Sequence, residues 1–205
     1  EEGALIEPLA VAYCAVKKAG DITGKNIVIA GGGTIGQMIL SIAKAKNANN
    51  IIVSDLSEFR LDTAKKLGAT NVINPKNKNI EEFKAEAYNA LGGRYADIAF
   101  EAVGIGATVT QALSSLKTQG TCVWVGNSAK TIEINMQDVV TRELRILGTY
   151  IYTHSEFGET IKFLSENKLD LSSLITKEVD LEQAPAMFDE LAKTADKHLK
   201  VLVKL

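Results

Sequence analysis

The chain has 205 residues, of which 46% are hydrophobic and 23% are charged, and its formal net charge is −2 at pH 7. This composition is typical of a folded globular protein and excludes a disordered chain, which has fewer apolar residues and a larger net charge. Nearly balanced charge gives no electrostatic footprint for nucleic acid or an anionic membrane, so we expect neither as a partner.

The first predicted element is a buried helix. Residues 4–13 are apolar almost all round, and Pro8 suits the first turn of a helix, where its missing N–H is not needed. We expect this helix to end near Gly20.

The next 130 or so residues alternate between strand-like and helix-like patterns. Apolar runs predict six strands, near residues 26–31, 51–54, 71–73, 97–103, 121–125 and 145–150. Helical spacing predicts four helices between them, through residues 35–42, 61–67, 83–91 and 109–116. This alternation is typical of βαβ units with right-handed crossovers, so we expect an α/β fold with a doubly wound parallel sheet.

The pattern changes after Tyr150. Two helical stripes run through residues 157–164 and 184–191, and an alternating strand follows at residues 199–204. We find no neighbour for this last strand in the first sheet, and expect it to belong to a second unit.

A glycine-rich segment, Gly31 to Gly36, matches the pattern G-x-G-x-x-G. Its first glycine, Gly31, permits a tight turn, Gly33 lets the backbone approach a pyrophosphate, and Gly36 permits close packing of helix on strand. The helix that begins near Thr34 directs free N–H groups and a positive dipole end at the phosphates. Glycine turns are common, but this one joins an apolar strand to an amphipathic helix. It therefore predicts a Rossmann dinucleotide site and the strand order 3-2-1-4-5-6.

An acid, Asp55, lies at the end of the second strand, about twenty residues beyond the fingerprint. A carboxylate there can accept hydrogen bonds from both ribose hydroxyls and would repel a 2′-phosphate. No Lys or Arg immediately follows Asp55, so we expect NAD rather than NADP. Asp55 could instead cap the next helix, a role that Ser57 can also fill. Arg60 either stacks on the adenine or is a surface arginine.

Two other nucleotide-binding classes are weighed against this interpretation. No Lys-Ser or Lys-Thr pair follows the glycines, which excludes an ATPase-type phosphate loop. A methyltransferase that uses S-adenosylmethionine also has a glycine-rich turn followed by an acid. The presence of Gly36, and of Ala30 where an acid is usual in that class, argues against it, but it stays an alternative.

The chain resembles the C-terminal part of zinc-dependent medium-chain alcohol dehydrogenases, on the branch of sorbitol, threonine and polyol-phosphate dehydrogenases. The resemblance rests on segments 4–11, 31–36, 67–69 and 142–150, and on Asp55 with Arg60. It implies a GroES-like catalytic domain that precedes the Rossmann domain and lies outside this chain. We therefore expect residues 1–22 to be a linking helix, residues 23–153 the NAD-binding domain, and residues 154–205 a return to the catalytic domain.

The resemblance also assigns sites. Glu7 would reach the catalytic zinc or its bound water, whereas the residue by itself indicates an acid at a helix start. The other zinc ligands would lie upstream. The remaining cofactor contacts would be Ile35 at the pyrophosphate, Ala102 and Val103 at the adenosine, Val125, Gly126 and Asn127 at the nicotinamide ribose, and Thr149 and Tyr150 at the nicotinamide amide.

The cysteines and histidines show no metal-ligand spacing. Cys14 and Cys122 lie far apart in apolar runs, so we expect them to be reduced and buried, as is usual in the cytosol. The first residues lack the basic start of a signal peptide, and no apolar run reaches the ~18 residues needed to span a membrane. We therefore expect a cytoplasmic protein.

The function implied by the resemblance is NAD-dependent hydride transfer from a secondary alcohol, polyol or amino alcohol. In such an enzyme zinc lowers the pKa of the substrate hydroxyl, and NAD accepts the hydride. We expect this chain alone to bind NAD without turnover. A non-catalytic NAD-binding or assembly module is the other alternative. The resemblance further implies a homodimer through the edge strand at residues 145–152.

Overall fold

The computed structural model describes residues 3–167 and 169–204. Its strands are β1 (Asn26–Ala30), β2 (Asn50–Ser54), β3 (Asn71–Ile73), β4 (Ala96–Glu101), β5 (Leu116–Trp124), β6 (Arg145–Gly148), β7 (Ile175–Asp180) and β8 (Lys200–Lys204). The first six form one parallel sheet in the order β3-β2-β1-β4-β5-β6, which confirms the predicted fold and order. β7 and β8 pair in a separate two-stranded sheet.

The helices lie between and around these strands. They are α1 (Gly3–Ala19), α2 (Thr34–Ala45), α3 (Glu58–Leu67), α4 (Ile80–Ala90), α5 (Gly106–Ser115), α6 (Met136–Thr141), α7 (His154–Asn167) and α8 (Ala184–Thr194). None of the helices in the described ranges is both long and apolar enough to cross a bilayer.

The core lies on both faces of the six-stranded sheet. All five residues of β1 are buried, and its alternate side chains belong to different clusters. Ile27 and Ile29 pack with residues of α1 and α2, whereas Val28 and Ala30 pack with residues of α4 and α5. A strand buried on both faces needs a continuous apolar run, and each fully buried Ile or Val contributes about 1.5–3 kcal/mol. β1 is therefore held rigidly, and it ends at the glycine-rich segment.

Several boundaries differ from the sequence prediction; β6, for example, ends at Gly148 rather than at Tyr150. Pro8 is not in the first turn, because α1 is described from Gly3 and Pro8 is the sixth residue of that range. Leu116, predicted on the fourth helix, is the first residue of β5, because α5 ends at Ser115. The pairing of β4 with β5 is irregular beyond this point, between Ala96 and Ile98.

The C-terminal lobe, residues 171–204, contains a strand that the sequence prediction missed. β8 lies outside the first sheet, as expected, but it is not unpaired, because β7 aligns parallel to it. Before this lobe, α7 packs on α1, where the rings of Tyr13 and Phe163 are 5.4 Å apart and Lys17 Nζ lies 2.8 Å from a carboxylate oxygen of Glu159.

Candidate coenzyme-binding site

In the glycine turn after β1, two glycines lie in close contact with neighbouring atoms and a third borders open space. Gly31 has φ 107°, a left-handed conformation that favours glycine, and a Cβ there would lie 2.6 Å from Val103 Cγ2. A Cβ on Gly36 would collide with the carbonyl oxygen of Gly31, so α2 packs directly on the end of β1. A Cβ on Gly33 would meet nothing within 4 Å. The chain around Gly33 therefore borders open space, as a path for a pyrophosphate requires.

The N-terminus of α2 faces that open space. Gly33 is its N-cap and makes no side-chain capping bond, which leaves the first N–H groups of the helix for water or a ligand. Thr34 begins the helix, and its hydroxyl donates a hydrogen bond to the carbonyl oxygen of Leu199 at 2.7 Å. Ile35, the next residue, is half-buried and packs against the core.

Asp55 joins the glycine turn to the turn that follows β2. Its Oδ2 accepts a hydrogen bond from the N–H of Gly32 at 2.8 Å, and its Oδ1 accepts one from the N–H of Ser57 at 2.9 Å. The N-cap of α3 is Ser57, whose Oγ accepts from the N–H of Arg60 at 3.3 Å. Asp55 is therefore free of the capping role. Each of its oxygens thus accepts one of these hydrogen bonds and has capacity to accept another.

Arg60 lies beside this carboxylate. Its Nη1 is 3.6 Å from Asp55 Oδ2, and its Nη2 donates to the carbonyl oxygen of Ala195 at 2.7 Å. These two partners fix the guanidinium at the rim of the site.

These groups border a cleft of about 550 Å³ outside the carboxyl ends of β1, β2 and β4, where open α/β sheets bind ligands. Its volume falls within the usual range for small-molecule sites. Four predicted site residues line it, namely Gly31, Asp55, Arg60 and Val103. The lining residues that the sequence prediction missed include Ser54, Leu56, Pro75, Lys78, Ile105, Thr108, Gln111 and Asp196.

A buried acid, Glu101, organises the loop after β4. Its side chain is fully buried, and Oε1 accepts hydrogen bonds from the N–H groups of Val103 and Gly104, at 3.0 and 2.8 Å, and from the hydroxyl of Thr108 at 2.6 Å. Its carbonyl oxygen accepts from the N–H groups of Val125 and Gly126. Glu101 thus brings together two predicted contact segments, 102–103 and 125–126. Sequence reasoning missed this residue, although a lone acid that ends an apolar strand was a usable signal.

The residues predicted at the nicotinamide follow the next two strands. Val125, Gly126 and Asn127 leave β5, and Thr149 and Tyr150 leave β6, so all lie along the same carboxyl edge of the sheet. The N–H of Thr149 donates to the carbonyl oxygen of Trp124 at 3.0 Å. None of these residues lines the cleft, and nor do Gly33, Thr34, Ile35, Gly36 and Ala102.

Glu7 is exposed on α1, where the hydroxyl of Tyr152 donates to its Oε1 at 3.2 Å. Across residues 3–167 and 169–204, no three His, Cys, Asp or Glu side chains converge as a metal site would need. Glu7 therefore belongs to no such cluster within these ranges. Both cysteines are free and buried, as expected. Desolvation by burial raises the pKa of Cys14 to about 11 and that of Cys122 to about 12.

Comparisons with known proteins decide the family. A family model described as zinc-binding dehydrogenase matches residues 34–166. The chain belongs to the zinc-binding dehydrogenases. This membership decides against the methyltransferase alternative.

Relatives of this dehydrogenase chain include a sorbitol dehydrogenase from Bacillus subtilis, 34% identical over 99% of the chain and 57% of the relative. Among solved structures, the 2R,3R-butanediol dehydrogenase of Bacillus subtilis is 29% identical, with a TM-score of 0.87 over 99% of this chain and 57% of that one. A structure from Sinorhizobium meliloti 1021, solved with NADP bound, is 26% identical with a TM-score of 0.84, over 99% of this chain and 59% of that one. The dehydrogenase chain thus spans a little more than half the length of these proteins.

Proposed function

We propose that the chain is the coenzyme-binding portion of an NAD-dependent zinc alcohol or polyol dehydrogenase, which transfers hydride from a secondary alcohol to NAD. The observation that carries this proposal is the cleft at the carboxyl edge of the sheet, which Asp55 lines beside an open glycine turn. NAD, when bound, supplies the hydride acceptor. The residues of this chain bind and orient it.

Each part of the site suits one part of NAD. Asp55 accepts hydrogen bonds from the adenosine ribose, and the open space beside Gly33 accommodates the pyrophosphate under the N-terminus of α2. The loops that Glu101 holds, with Ala102, Val103 and Val125, continue the site toward the nicotinamide. Gly126, Asn127, Thr149 and Tyr150 form the nicotinamide end of this proposal.

The preference for NAD depends on charge. A 2′-phosphate carries a charge of roughly −1.5 to −2, and a carboxylate beside the ribose repels it. The relative from Sinorhizobium meliloti holds NADP, so coenzyme choice is specific to each chain and needs its own measurement.

Glu7 is proposed to reach the catalytic zinc or its bound water, with the other ligands supplied by an upstream domain. Bound zinc would lower the pKa of the substrate hydroxyl. The named substrates of relatives, sorbitol and 2R,3R-butanediol, have secondary alcohols, and we propose a secondary alcohol or polyol here.

The proposed organisation follows the same family. Residues 1–22 would link to a catalytic domain, 23–153 bind NAD, and 154–205 return to that domain, where the exposed Phe188 and Leu181 of the C-terminal lobe can be covered. We propose a homodimer through β6 and the exposed Tyr150 and Ile151 that follow it. Two free buried cysteines favour a reducing compartment, and we propose the cytoplasm.

Calorimetric titration with NAD and with NADP tests this function. The wild-type protein should bind NAD saturably and NADP at least tenfold more weakly. Asp55→Asn should weaken NAD about 10- to 100-fold, because hydrogen bonds to a charged acceptor contribute about 1.5–3 kcal/mol. The matched control is Asp62→Asn, which neutralises an exposed acid on α3 paired with Lys65, and should change neither affinity. Failure of the wild-type protein to bind NAD would overturn the proposal.

A further inference from the structure

A backbone segment of the C-terminal lobe is fixed to the rim of the coenzyme cleft. This segment, residues 195–199, is called the strap. Three side chains donate hydrogen bonds to its carbonyl oxygens, each at 2.7 Å. Ser57 donates to residue 196, Arg60 to residue 195 and Thr34 to residue 199. All three donors lie at the N-termini of α2 and α3, next to the glycine turn. The strap is therefore held at the edge of the site, where Asp196 lines the cleft, although 135–165 residues separate it from its partners in sequence.

Four of the residues that line the cleft are charged, and three of them have partners of opposite charge. Arg60 lies 3.6 Å from Asp55, and Lys78 Nζ lies 2.9 Å from a carboxylate oxygen of Glu86. Asp196, which lines the cleft from the strap, makes no ion pair with any residue in the ranges 3–167 and 169–204. Asp196 is therefore the charged lining residue whose charge no ion pair within the described ranges offsets.

The ion pairs of these charged residues bear on which of them should repel NADP. Asp55 alone gives a weak negative field, because the guanidinium of Arg60 beside it offsets the carboxylate and is itself a good phosphate partner. Asp196 adds a second negatively charged residue to the lining of the same cleft. A ribose hydroxyl is neutral and does not respond to this charge, whereas a 2′-phosphate is repelled.

We propose that Asp196 is a specificity-determining residue, which discriminates against the 2′-phosphate of NADP from the strap. This inference rests on the proposed NAD-binding function. In this proposal Asp55 accepts the hydrogen bonds from the ribose, and Asp196 supplies a large part of the electrostatic repulsion of the 2′-phosphate.

The test compares Asp196→Asn with the wild-type protein by calorimetric titration with NAD and NADP. Asp196→Asn should lower the Kd for NADP by about 5- to 10-fold and leave the Kd for NAD within about twofold. Asp196→Lys should favour NADP further. Both gains should shrink at high salt, because screening weakens exposed charges. The strap bonds use backbone carbonyl groups, so these variants keep them. The matched control, Asp189→Asn, neutralises an exposed acid of the same lobe outside the cleft, and should change neither affinity.

The outcomes separate the two proposals. If the wild-type protein does not bind NAD, the proposed function fails. If it binds NAD but Asp196→Asn and Asp196→Lys leave the NADP/NAD ratio unchanged, the specificity role fails and the function stands. Equal weakening of both coenzymes by Asp196→Asn would also overturn the role, because it would indicate a purely structural strap.

Discussion

Gly33 and Gly36 are three residues apart, yet an added methyl group meets opposite surroundings at the two positions. At Gly33 it enters open space, and the backbone φ of −69° is one that alanine adopts readily. Gly33→Ala should therefore keep the free energy of unfolding within about 1 kcal/mol while weakening NAD at least tenfold, because the methyl group occupies the proposed pyrophosphate path. Urea unfolding and NAD titration of the same protein sample measure both effects.

Gly36→Ala provides the comparison. The new methyl group would collide with the Gly31 carbonyl oxygen, so the free energy of unfolding should fall by about 1–3 kcal/mol, as in other overpacked sites. If Gly33→Ala binds NAD as the wild type does, the pyrophosphate does not pass where we place it. If Gly36→Ala is as stable as the wild type, the close packing of α2 on β1 is not needed.

The two buried thiols make stability depend on pH in the alkaline range. Burial raises the pKa of Cys14 to about 11 and that of Cys122 to about 12 in the folded protein, from a reference of 9.0. The folded state thus holds these protons more tightly than the unfolded state. Their stabilising effect is complete below pH 9 and is lost as pH rises through the folded-state pKa values, by up to about 1.4 kcal/mol per pH unit for each thiol.

Urea unfolding at pH 8, 9 and 10 measures this loss. The decline should be shallower in the Cys14→Ala/Cys122→Ala double variant than in the wild type, since tyrosines and lysines titrate equally in both proteins. Equal declines would show that the thiols ionise as easily in the folded protein as in the unfolded chain.

At the scale of elements, β6 determines the proposed dimer. The N–H of Thr149 points toward β5, so by alternation along the strand the N–H of Gly148 points away from the sheet. Gly148→Pro should remove a donor needed for pairing between two β6 strands and give a monomer in sedimentation velocity. Gly148→Ala keeps the N–H, its Cβ meets nothing within 4 Å, and it should leave the dimer intact. A wild-type monomer at micromolar concentration would contradict the proposal.

The elements also show which features local sequence can reveal. β1 to β6 are predictable because each is an apolar run within a regular alternation with helices. β7 is not predictable, because Ile175–Asp180 mixes charged and apolar residues without burial on two faces. The strand that pairs with it, β8, begins twenty residues after it ends. The same distinction holds in the site. The glycine turn and Asp55 follow from local spacing, whereas the position of Asp196 depends on hydrogen bonds between segments distant in sequence.

At the scale of the whole molecule, the sheet and the C-terminal lobe should differ in local stability. β1 is completely buried between two apolar clusters, whereas β8 has no buried residue and α8 has one, Met187. Amide hydrogen exchange reports such differences, because weakly packed units open well below the free energy of global unfolding. Amides of β1 and β4 should therefore exchange slowest, and those of β8 and α8 much faster.

Saturating NAD should slow amide exchange in the strap as well as in the glycine turn and the loop after β4. Ligand that binds only the folded state stabilises it by about 2.7 kcal/mol at 100 times Kd, and the units that form the site share that gain. Because the strap is bonded to Thr34, Ser57 and Arg60, its amides should gain protection with NAD, whereas those of α8 should not. Protection confined to the glycine turn and the loop after β4 would show that the strap is not part of the coenzyme site.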